Sequence, residues 1–226
     1  MMKVVSPKTL FDIINVMEKF SLEVMYDNGV FYTISGDMVS FLKFDAKNFL
    51  EDVIEKKFLI NLSQFKQLLK RFQKSTSLFI ELNDNTLTLK DDRKRYQMKI
   101  LNEEDSDIKD VESNIKYANQ PVVIDGDYLN EAISDVLVFT DSAVFTSEDN
   151  KLVIYSNSDL QSYRTEKEVI KTSLPEFKVK FSLPYLKNIM SVIKGSDVEV
   201  YLQTDLPIKI KKGEFVYIQA PMMMEE

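Results

Sequence analysis

The chain of 226 residues contains no cysteine, no histidine and no tryptophan. Without cysteine there are no disulfides and no thiolate zinc sites, and without histidine the commonest general base and the commonest metal ligand are missing. Only carboxylate catalysis stays open, so a non-enzymatic protein without catalytic residues, metal or cofactor is expected. No apolar run approaches about 18 residues and the N-terminus lacks signal-peptide features, so neither a membrane span nor secretion is expected.

Glycine and proline are also scarce, with 5 and 6 residues, whereas 44% of the residues are hydrophobic and 29% are charged. This composition is typical of an ordinary soluble globular protein, and the absence of cysteine fits an intracellular one. The net charge of −7 argues against a nucleic-acid partner if the charge is spread evenly. The charge is not spread evenly, because one repeated pattern concentrates the positive residues.

The stretch INLSQFKQLLKRFQKSTSLFIEL at 60–82 shares its pattern with FSLPYLKNIMSVIKGSDVEVYL at 181–202. Each has an apolar strand end, a leucine, a basic amphipathic segment without acids and a further strand. Leu62 corresponds to Leu183 and Lys66 to Lys187, both 121 positions later. A period near 120 is too long for a solenoid and predicts two copies of one domain. Chance similarity between two generic helix–strand units is the alternative.

The predicted class is α+β, with each copy forming an antiparallel sheet covered on one face by two helices. Apolar spacing predicts helices over 7–20, 63–74, 127–139 and 184–194. The sequence Asp27-Asn28-Gly29 is a strong hairpin signal. The predicted domains cover 1–101 and 120–226.

The segment between the domains, 102–119, holds six acids and two lysines without glycine or proline, which suits an extended surface connector. Ile108, Val111 and Ile115 are its isolated apolar residues. They either pin the connector to the body of the protein or form the lip of a partner groove, and both interpretations stay open.

Two predicted helical segments carry bases and no acid: Lys66, Lys70, Arg71 and Lys74 in 63–74, and Lys187 and Lys194 in 184–195. Together they carry +6, so the rest of the chain carries −13. A solvated helix face is the ordinary interpretation of such lysines, but it is weaker for two repeat-related helices. Lysines one turn apart suit contacts to phosphates, independent of base sequence and sensitive to salt.

Three further stretches carry a resemblance to a known family: YQMKIL at 96–101, DLPIKIK at 205–211 and FVYIQAPMMMEE at 215–226. With the duplication, the acidic connector and the basic helices, the chain resembles the PCNA-type DNA sliding clamps of archaea and eukaryotes. The resemblance implies a head-to-tail ring of three subunits that encloses duplex DNA, with the helices lining the hole. It also implies a processivity factor for DNA replication and repair that tethers DNA polymerase, the clamp loader and other proteins carrying a short motif.

The resemblance implies three sets of site residues. The DNA-facing set is Lys8, Lys19, Lys66, Lys70, Arg71, Lys74, Lys187 and Lys194. The subunit-interface set comes from strands at about 94–101 and 162–169, and it is Lys94, Tyr96, Met98, Ile100, Tyr163, Thr165 and Lys167. The set for an apolar pocket that receives the partner motif is Ile34, Met38, Val39, Ile108, Pro207, Ile218, Ala220 and Pro221.

Some residues depart from the family pattern: Ile218 stands where an aromatic is usual, and Gln219 where a leucine is usual. Such changes suit a viral clamp, a divergent archaeal clamp or one member of a heterotrimer, so the location would be the cytoplasm or nucleoid, the nucleus or a host cell. A clamp-like subunit of a heterotrimeric, checkpoint or viral processivity complex is the first alternative. A duplicated carboxylate enzyme using Asp125, Asp127 and Glu131 is the second, although their spacing fits a helix cap and a solvated face better.

Overall fold

The computed structural model describes residues 1–157, 162–168 and 174–224. The chain divides into two compact units, Met1–Asp110 and Val111–Glu226. The division falls inside the acidic segment 102–119. Among the described residues, every helix is too short or too polar to cross a membrane.

Unit 1 contains two α-helices and nine strands, and the strands form two antiparallel sheets. Its helices are α1 (Pro7–Met17) and α2 (Leu62–Lys70). Its strands are β1 (Met2–Val4), β2 (Glu23–Asp27), β3 (Val30–Ile34), β4 (Ser40–Asp45), β5 (Leu50–Glu51), β6 (Lys57–Asn61), β7 (Leu78–Asn83), β8 (Thr86–Lys90) and β9 (Arg95–Lys99). The strand orders are β5-β1-β7-β8-β9 and β4-β3-β2-β6.

Unit 2 has the same kinds of element. Its helices are α3 (Gly126–Val136) and α4 (Leu183–Ile193). Its strands are β10 (Val122–Asp125), β11 (Ser142–Glu148), β12 (Lys151–Asn157), β13 (Ser162–Glu168), β14 (Lys178–Ser182), β15 (Asp197–Tyr201), β16 (Ile208–Lys212) and β17 (Phe215–Gln219). The strand orders are β13-β12-β11-β14 and β10-β15-β16-β17.

The two units share one connectivity. In each, a strand and a helix lead into three consecutive strands, and a further strand and helix lead into three more. The order β4-β3-β2-β6 corresponds to β13-β12-β11-β14, and β1-β7-β8-β9 corresponds to β10-β15-β16-β17. Among the described residues, the short β5 is the one strand that unit 1 adds. The α+β class and the tandem duplication predicted from the sequence are therefore confirmed.

Apolar residues at helical spacing bury one side of each helix. In α1, Pro7 occupies the first turn, where its missing N–H is harmless, and Leu10 and Ile14 are buried. In α2, the Asn61 side chain caps the first turn by accepting a hydrogen bond from Gln64 N at 3.0 Å. The helices pack in pairs, α1 against α2 in unit 1 and α3 against α4 in unit 2. Each pair thus leaves a polar face opposite its buried stripe.

The helices end three or four residues earlier than predicted wherever the last turn tightens. In α2, the N–H groups of Arg71 and Phe72 bond to carbonyls only three residues back, both at 2.9 Å. This tighter turn keeps the Phe72 ring buried although the α-helix has ended at Lys70. The predicted extension of the helix to residue 74 is wrong, and Lys74 lies in the segment that follows α2.

The predicted hairpin between β2 and β3 is present. Asn28 and Gly29 both have positive φ, 49° and 87°, as a tight two-residue turn requires. A Cβ atom on Gly29 would also lie 2.8 Å from the Lys47 Cγ atom. Glycine is therefore needed there for the backbone conformation and for space.

Candidate nucleic-acid interface

Lys66 lies on α2 and forms an ion pair with Glu18, the residue that follows α1. The Ser63 hydroxyl donates a hydrogen bond of 2.8 Å to the same carboxylate. The hydrogen bond from Lys66 lowers the pKa of Glu18, and Ser63 acts in the same direction against the effect of burial. The sequence pattern missed this contact because the helical segment 63–74 contains no acid of its own. In unit 1, part of the positive charge is therefore already neutralised.

Lys187 is the repeat equivalent on α4, and it also reaches the neighbouring helix of its unit. Its Nζ atom donates to Asn130 Oδ1 at 3.3 Å and to the Ser134 hydroxyl, both on α3. Unlike Glu18, these partners are neutral, so they orient the ammonium group without cancelling its charge. Among these contacts, the ammonium group of Lys187 thus meets no opposite charge.

The other six residues of the predicted DNA-facing set are all exposed and lie on or just after the helices. They are Lys8, Lys19, Lys70, Arg71, Lys74 and Lys194. Lys8 belongs to α1 and Lys70 to α2, whereas Arg71 and Lys194 directly follow the last residues of α2 and α4. Five of the six lie in unit 1 and Lys194 lies in unit 2. Their contact with DNA stays a prediction.

A lysine from a hairpin caps the C-terminal end of one helix in each unit. In unit 1, Lys94 Nζ donates to the Arg71 carbonyl at 3.0 Å. In unit 2, Lys212 Nζ donates to the Val192 carbonyl at 2.6 Å. A cation at the negative end of the helix dipole is stabilising, and it satisfies a carbonyl that has no partner within the helix. Lys94, predicted at the subunit interface, therefore has a structural contact inside its own unit.

The strand β9 is an edge of its sheet and carries part of the predicted subunit interface. Tyr96 is 37% exposed, and its ring meets Phe72 edge-on with 5.7 Å between ring centroids. Met98 is buried, and Ile100 beyond the strand is half-buried. The edge thus presents backbone N–H and C=O groups on its outer side, together with an exposed tyrosine ring that another protein chain could cover.

In unit 2, the strand β13 is an edge of its sheet within the described residues, and one of its faces lies against α3. The Tyr163 hydroxyl donates to Asp135 Oδ2 at 3.1 Å, and Lys167 Nζ lies 5.3 Å from the centre of the Tyr128 ring. Burial and the Asp135 carboxylate raise the pKa of Tyr163 to about 12. Thr165 lies between them and is half-buried, whereas Val169 of the predicted strand lies outside the described residues.

The residues predicted for the partner-motif pocket are found in both units. In unit 1, Ile34 and Val39 are half-buried, Met38 is 61% exposed and Ile108 is buried. The loop that carries Met38 is held by Asp37, whose carboxylate accepts from the Ser35 hydroxyl at 2.6 Å. Unit 2 contributes the half-buried Pro207, Ala220 and Pro221 and the buried Ile218. Their joint role in one pocket stays a prediction.

Two ion pairs and one buried residue hold the acidic connector. Ile108 is 5% exposed, so it pins the connector in unit 1. Lys43 Nζ binds Asp110 there at 2.6 Å, and Lys209 Nζ binds Glu112 at 3.4 Å in unit 2. The sequence pattern missed both lysines because each lies on a distant strand.

The three carboxylates of the alternative enzyme hypothesis are a helix cap, a contact between helix ends and an exposed side chain. Asp125 accepts a hydrogen bond from Asp127 N at 2.9 Å at the start of α3, and Asp127 accepts from Gly195 N at 3.2 Å. Glu131 is exposed. Within the part of the chain that the structure describes, there is no group of three or more acidic, His or Cys side chains that could hold a metal ion. The cap interpretation is therefore correct for Asp125, and the solvated-face interpretation is correct for Glu131.

Comparison of the sequence with known proteins gives relatives of one kind. A protein named DNA polymerase sliding clamp from Methanococcus vannielii is 27% identical over 181 residues, which are 72% of each chain. A protein of the same name from Methanococcus maripaludis is 25% identical over 182 residues, again 72% of each chain. No family model matches the sequence.

Comparison of the structure gives the same kind of protein over nearly the whole chain. The PCNA of A. fulgidus, solved with the C-terminal region of FEN-1 bound, has a TM-score of 0.81 and 20% identity, with 100% of both chains covered. The PCNA2–PCNA3 complex of Sulfolobus tokodaii has a TM-score of 0.79 and 21% identity, covering 98% of this chain and 99% of that one. These likenesses confirm the resemblance inferred from the sequence, and the chain has the duplicated fold of the PCNA-type sliding clamps.

Proposed function

We propose that the chain is a DNA sliding clamp, a processivity factor that encircles duplex DNA and tethers replication and repair enzymes inside the cell. The observation that carries this proposal is the pairing of a duplicated clamp fold with bases on the helix pair of each unit. Lys66 and Lys187 occupy equivalent positions, and both lie on the second helix of a pair. The sequence relatives named DNA polymerase sliding clamp support the same function.

The chemistry proposed for DNA binding is weak contact with phosphates. Lysine ammonium groups meet phosphates as point charges without reading bases, so the contacts tolerate sliding. A closed ring would convert such weak contacts into long residence by topology. The chain would act by tethering its partners, without catalysis of its own.

Ring closure is proposed to pair β9 of one copy with β13 of the next. Both strands are sheet edges among the described residues. Exposed edges favour pairing with another chain, and head-to-tail contacts with a closing rotation give rings. The interface residues would be Tyr96 and Met98 on one copy and Tyr163, Thr165 and Lys167 on the other, with Lys94 and Ile100 at the flanks.

Retention on DNA tests the function. The chain is loaded on a nicked circular plasmid, separated from free protein by gel filtration, and the plasmid is then cut once. A clamp stays on the circle and leaves after the cut, because linear DNA allows the ring to slide off. Equal retention on circular and linear DNA, or none on either, would contradict the proposal.

A heteromeric ring is the second candidate, and one observation favours it. The Sulfolobus tokodaii structure that resembles this chain is a complex of two different PCNA proteins. Native mass spectrometry of the chain alone and after co-expression with related subunits separates the candidates. A trimer of the chain alone indicates a homomeric ring, whereas a trimer that forms only with relatives indicates a heteromeric one.

A further inference from the structure

One lysine of unit 2 is enclosed by residues of the connector and of the sheet. Lys209 lies on β16, and only 15% of its side chain is exposed. Glu112 of the connector supplies a carboxylate oxygen at 3.4 Å from Nζ. The Tyr201 ring on β15 lies 4.3 Å from Nζ, and the Tyr117 ring of the connector lies 5.7 Å away. We name Glu112, Tyr117, Tyr201 and Lys209 the connector lock.

The connector lock joins three separate segments through one cation. A largely buried ammonium group must be compensated, and here one carboxylate and two aromatic faces compensate it together. The two rings also touch each other, with 5.3 Å between centroids. Removing the cation would therefore weaken the contact of both Glu112 and Tyr117 with the sheet.

Two hydrogen bonds extend the connector lock along the chain. The Tyr117 hydroxyl donates to the Pro207 carbonyl at 2.8 Å, and the Ala118 N–H donates to Gln203 Oε1 at 3.0 Å. Burial, with the nearby Glu112 carboxylate, raises the pKa of Tyr117, so its phenol stays protonated and able to donate. Residues 112–118 are thus bound to unit 2 at several points, although the acidic connector has the composition of a solvated segment.

We propose that Lys209 is a positioning residue for partner proteins: it fixes the second half of the connector so that a short clamp-binding motif meets an ordered connector. This inference rests on the proposed clamp function and on the predicted apolar pocket for the partner motif, which includes Ile108 of the connector and Pro207. An ordered site lowers the entropy lost on binding, so the connector lock raises the affinity for such a motif. Pro207, which receives the Tyr117 hydrogen bond, is itself one of the residues predicted to meet the motif.

The test uses the full chain and four variants. Lys209→Met keeps the length of the side chain and removes the charge, and Lys209→Arg restores a cation that interacts with aromatic rings. Tyr117→Phe keeps the ring and removes only the hydrogen bond to Pro207. Lys211→Met is the matched control, because Lys211 lies two residues on in the same strand and shares the face of Lys209.

Hydrogen exchange of the amides in 112–118 reports the connector itself, and binding of a synthetic peptide with the motif reports the function. Lys209→Met is expected to speed exchange in 112–118 and to weaken peptide binding by about 2- to 30-fold, the range of a cation–π contact. Lys209→Arg should restore most of both, and Tyr117→Phe should show a smaller effect of the same sign. Lys211→Met should resemble the wild type in both measurements.

Each other outcome decides against a particular claim. Unchanged exchange in Lys209→Met overturns the connector lock. Faster exchange with unchanged peptide affinity overturns the positioning role and leaves the clamp function intact. If the wild type itself binds no motif peptide, the partner part of the proposed function is wrong and the positioning role falls with it. Thermal melting of each variant shows whether a loss of binding comes from unfolding. If Lys209→Met is unfolded, the milder Tyr117→Phe variant tests the connector lock by the same two measurements.

Discussion

Gly126, the first residue of α3, allows this helix to approach the end of α4 closely. A Cβ atom at this position would lie 2.2 Å from the Ile193 carbonyl oxygen and 2.9 Å from that of Ser196. Both are backbone atoms, so a change of side-chain rotamer cannot relieve the overlap. The Gly126 N–H also donates to the Ser196 carbonyl at 3.0 Å, which holds the two segments together.

Two opposing effects decide the outcome of Gly126→Ala. Alanine favours the helix and restricts the unfolded chain, which together stabilise by roughly 0.5–1 kcal/mol. Overpacking a filled site destabilises by about 1–3 kcal/mol, and the overlap with rigid backbone places this site at the upper end. The free energy of unfolding should therefore fall by about 2 kcal/mol, which lowers the melting temperature by roughly 4–8 °C in a chain of this size.

Urea unfolding followed by circular dichroism measures this change. Gly36→Ala is the matched control, because a Cβ atom there meets nothing within 4 Å. The control should be neutral or slightly stabilised. A Gly126→Ala variant as stable as the wild type, or more stable, would refute the close approach of α3 to α4.

Three further variants test single side-chain contacts of the structure. Because Lys66 lowers the pKa of Glu18 below its ordinary 4.5, the pair stabilises the folded chain above that pH and the contribution is lost as pH falls through the lowered value. Glu18→Gln should thus lower the urea midpoint at pH 7, and this deficit should shrink as the pH falls through the lowered pKa of Glu18; a deficit that does not change with pH would contradict the pairing. Gln219→Leu removes hydrogen bonds to the Tyr217 hydroxyl and the Ser182 carbonyl in a fully buried site and should destabilise by about 1–3 kcal/mol in urea unfolding, whereas an unchanged midpoint would contradict it. Tyr96→Ala removes the exposed ring of β9 and should shift light scattering from ring to monomer at micromolar concentration; an intact ring would exclude Tyr96 from the interface.

The order and type of the elements could be predicted because each depends on local pattern. The apolar stripe of α1 and the Asn28-Gly29 turn are both properties of neighbouring residues. The matching stretches around Leu62 and Leu183 also predicted the duplication, because similar sequence patterns at a fixed separation form similar structures. Features that depend only on neighbouring residues, such as the type and order of helices and strands, can therefore be predicted from the sequence.

Contacts between distant segments could not be predicted from these patterns. Glu18 and Lys66 are 48 residues apart and meet only because α1 packs against α2. The end of α2 likewise depends on the burial of Phe72, which a helical pattern cannot specify. The connector lock unites residues from 112 to 209, and the only hint in the sequence is an aromatic residue, Tyr117, inside an acidic segment.

The most direct test of the clamp proposal is the salt dependence of retention on closed circular DNA for Lys187→Ala, Lys66→Ala and the control Lys56→Ala. Lys187 has neutral partners, so its loss should lower the slope of log retention against log salt by about one. Lys66 is already paired with Glu18, so its loss should lower the slope by less, and the loss of the exposed Lys56, outside the helices, should leave it unchanged. Wild-type slopes for both helix variants would contradict the claim that these helices face the DNA.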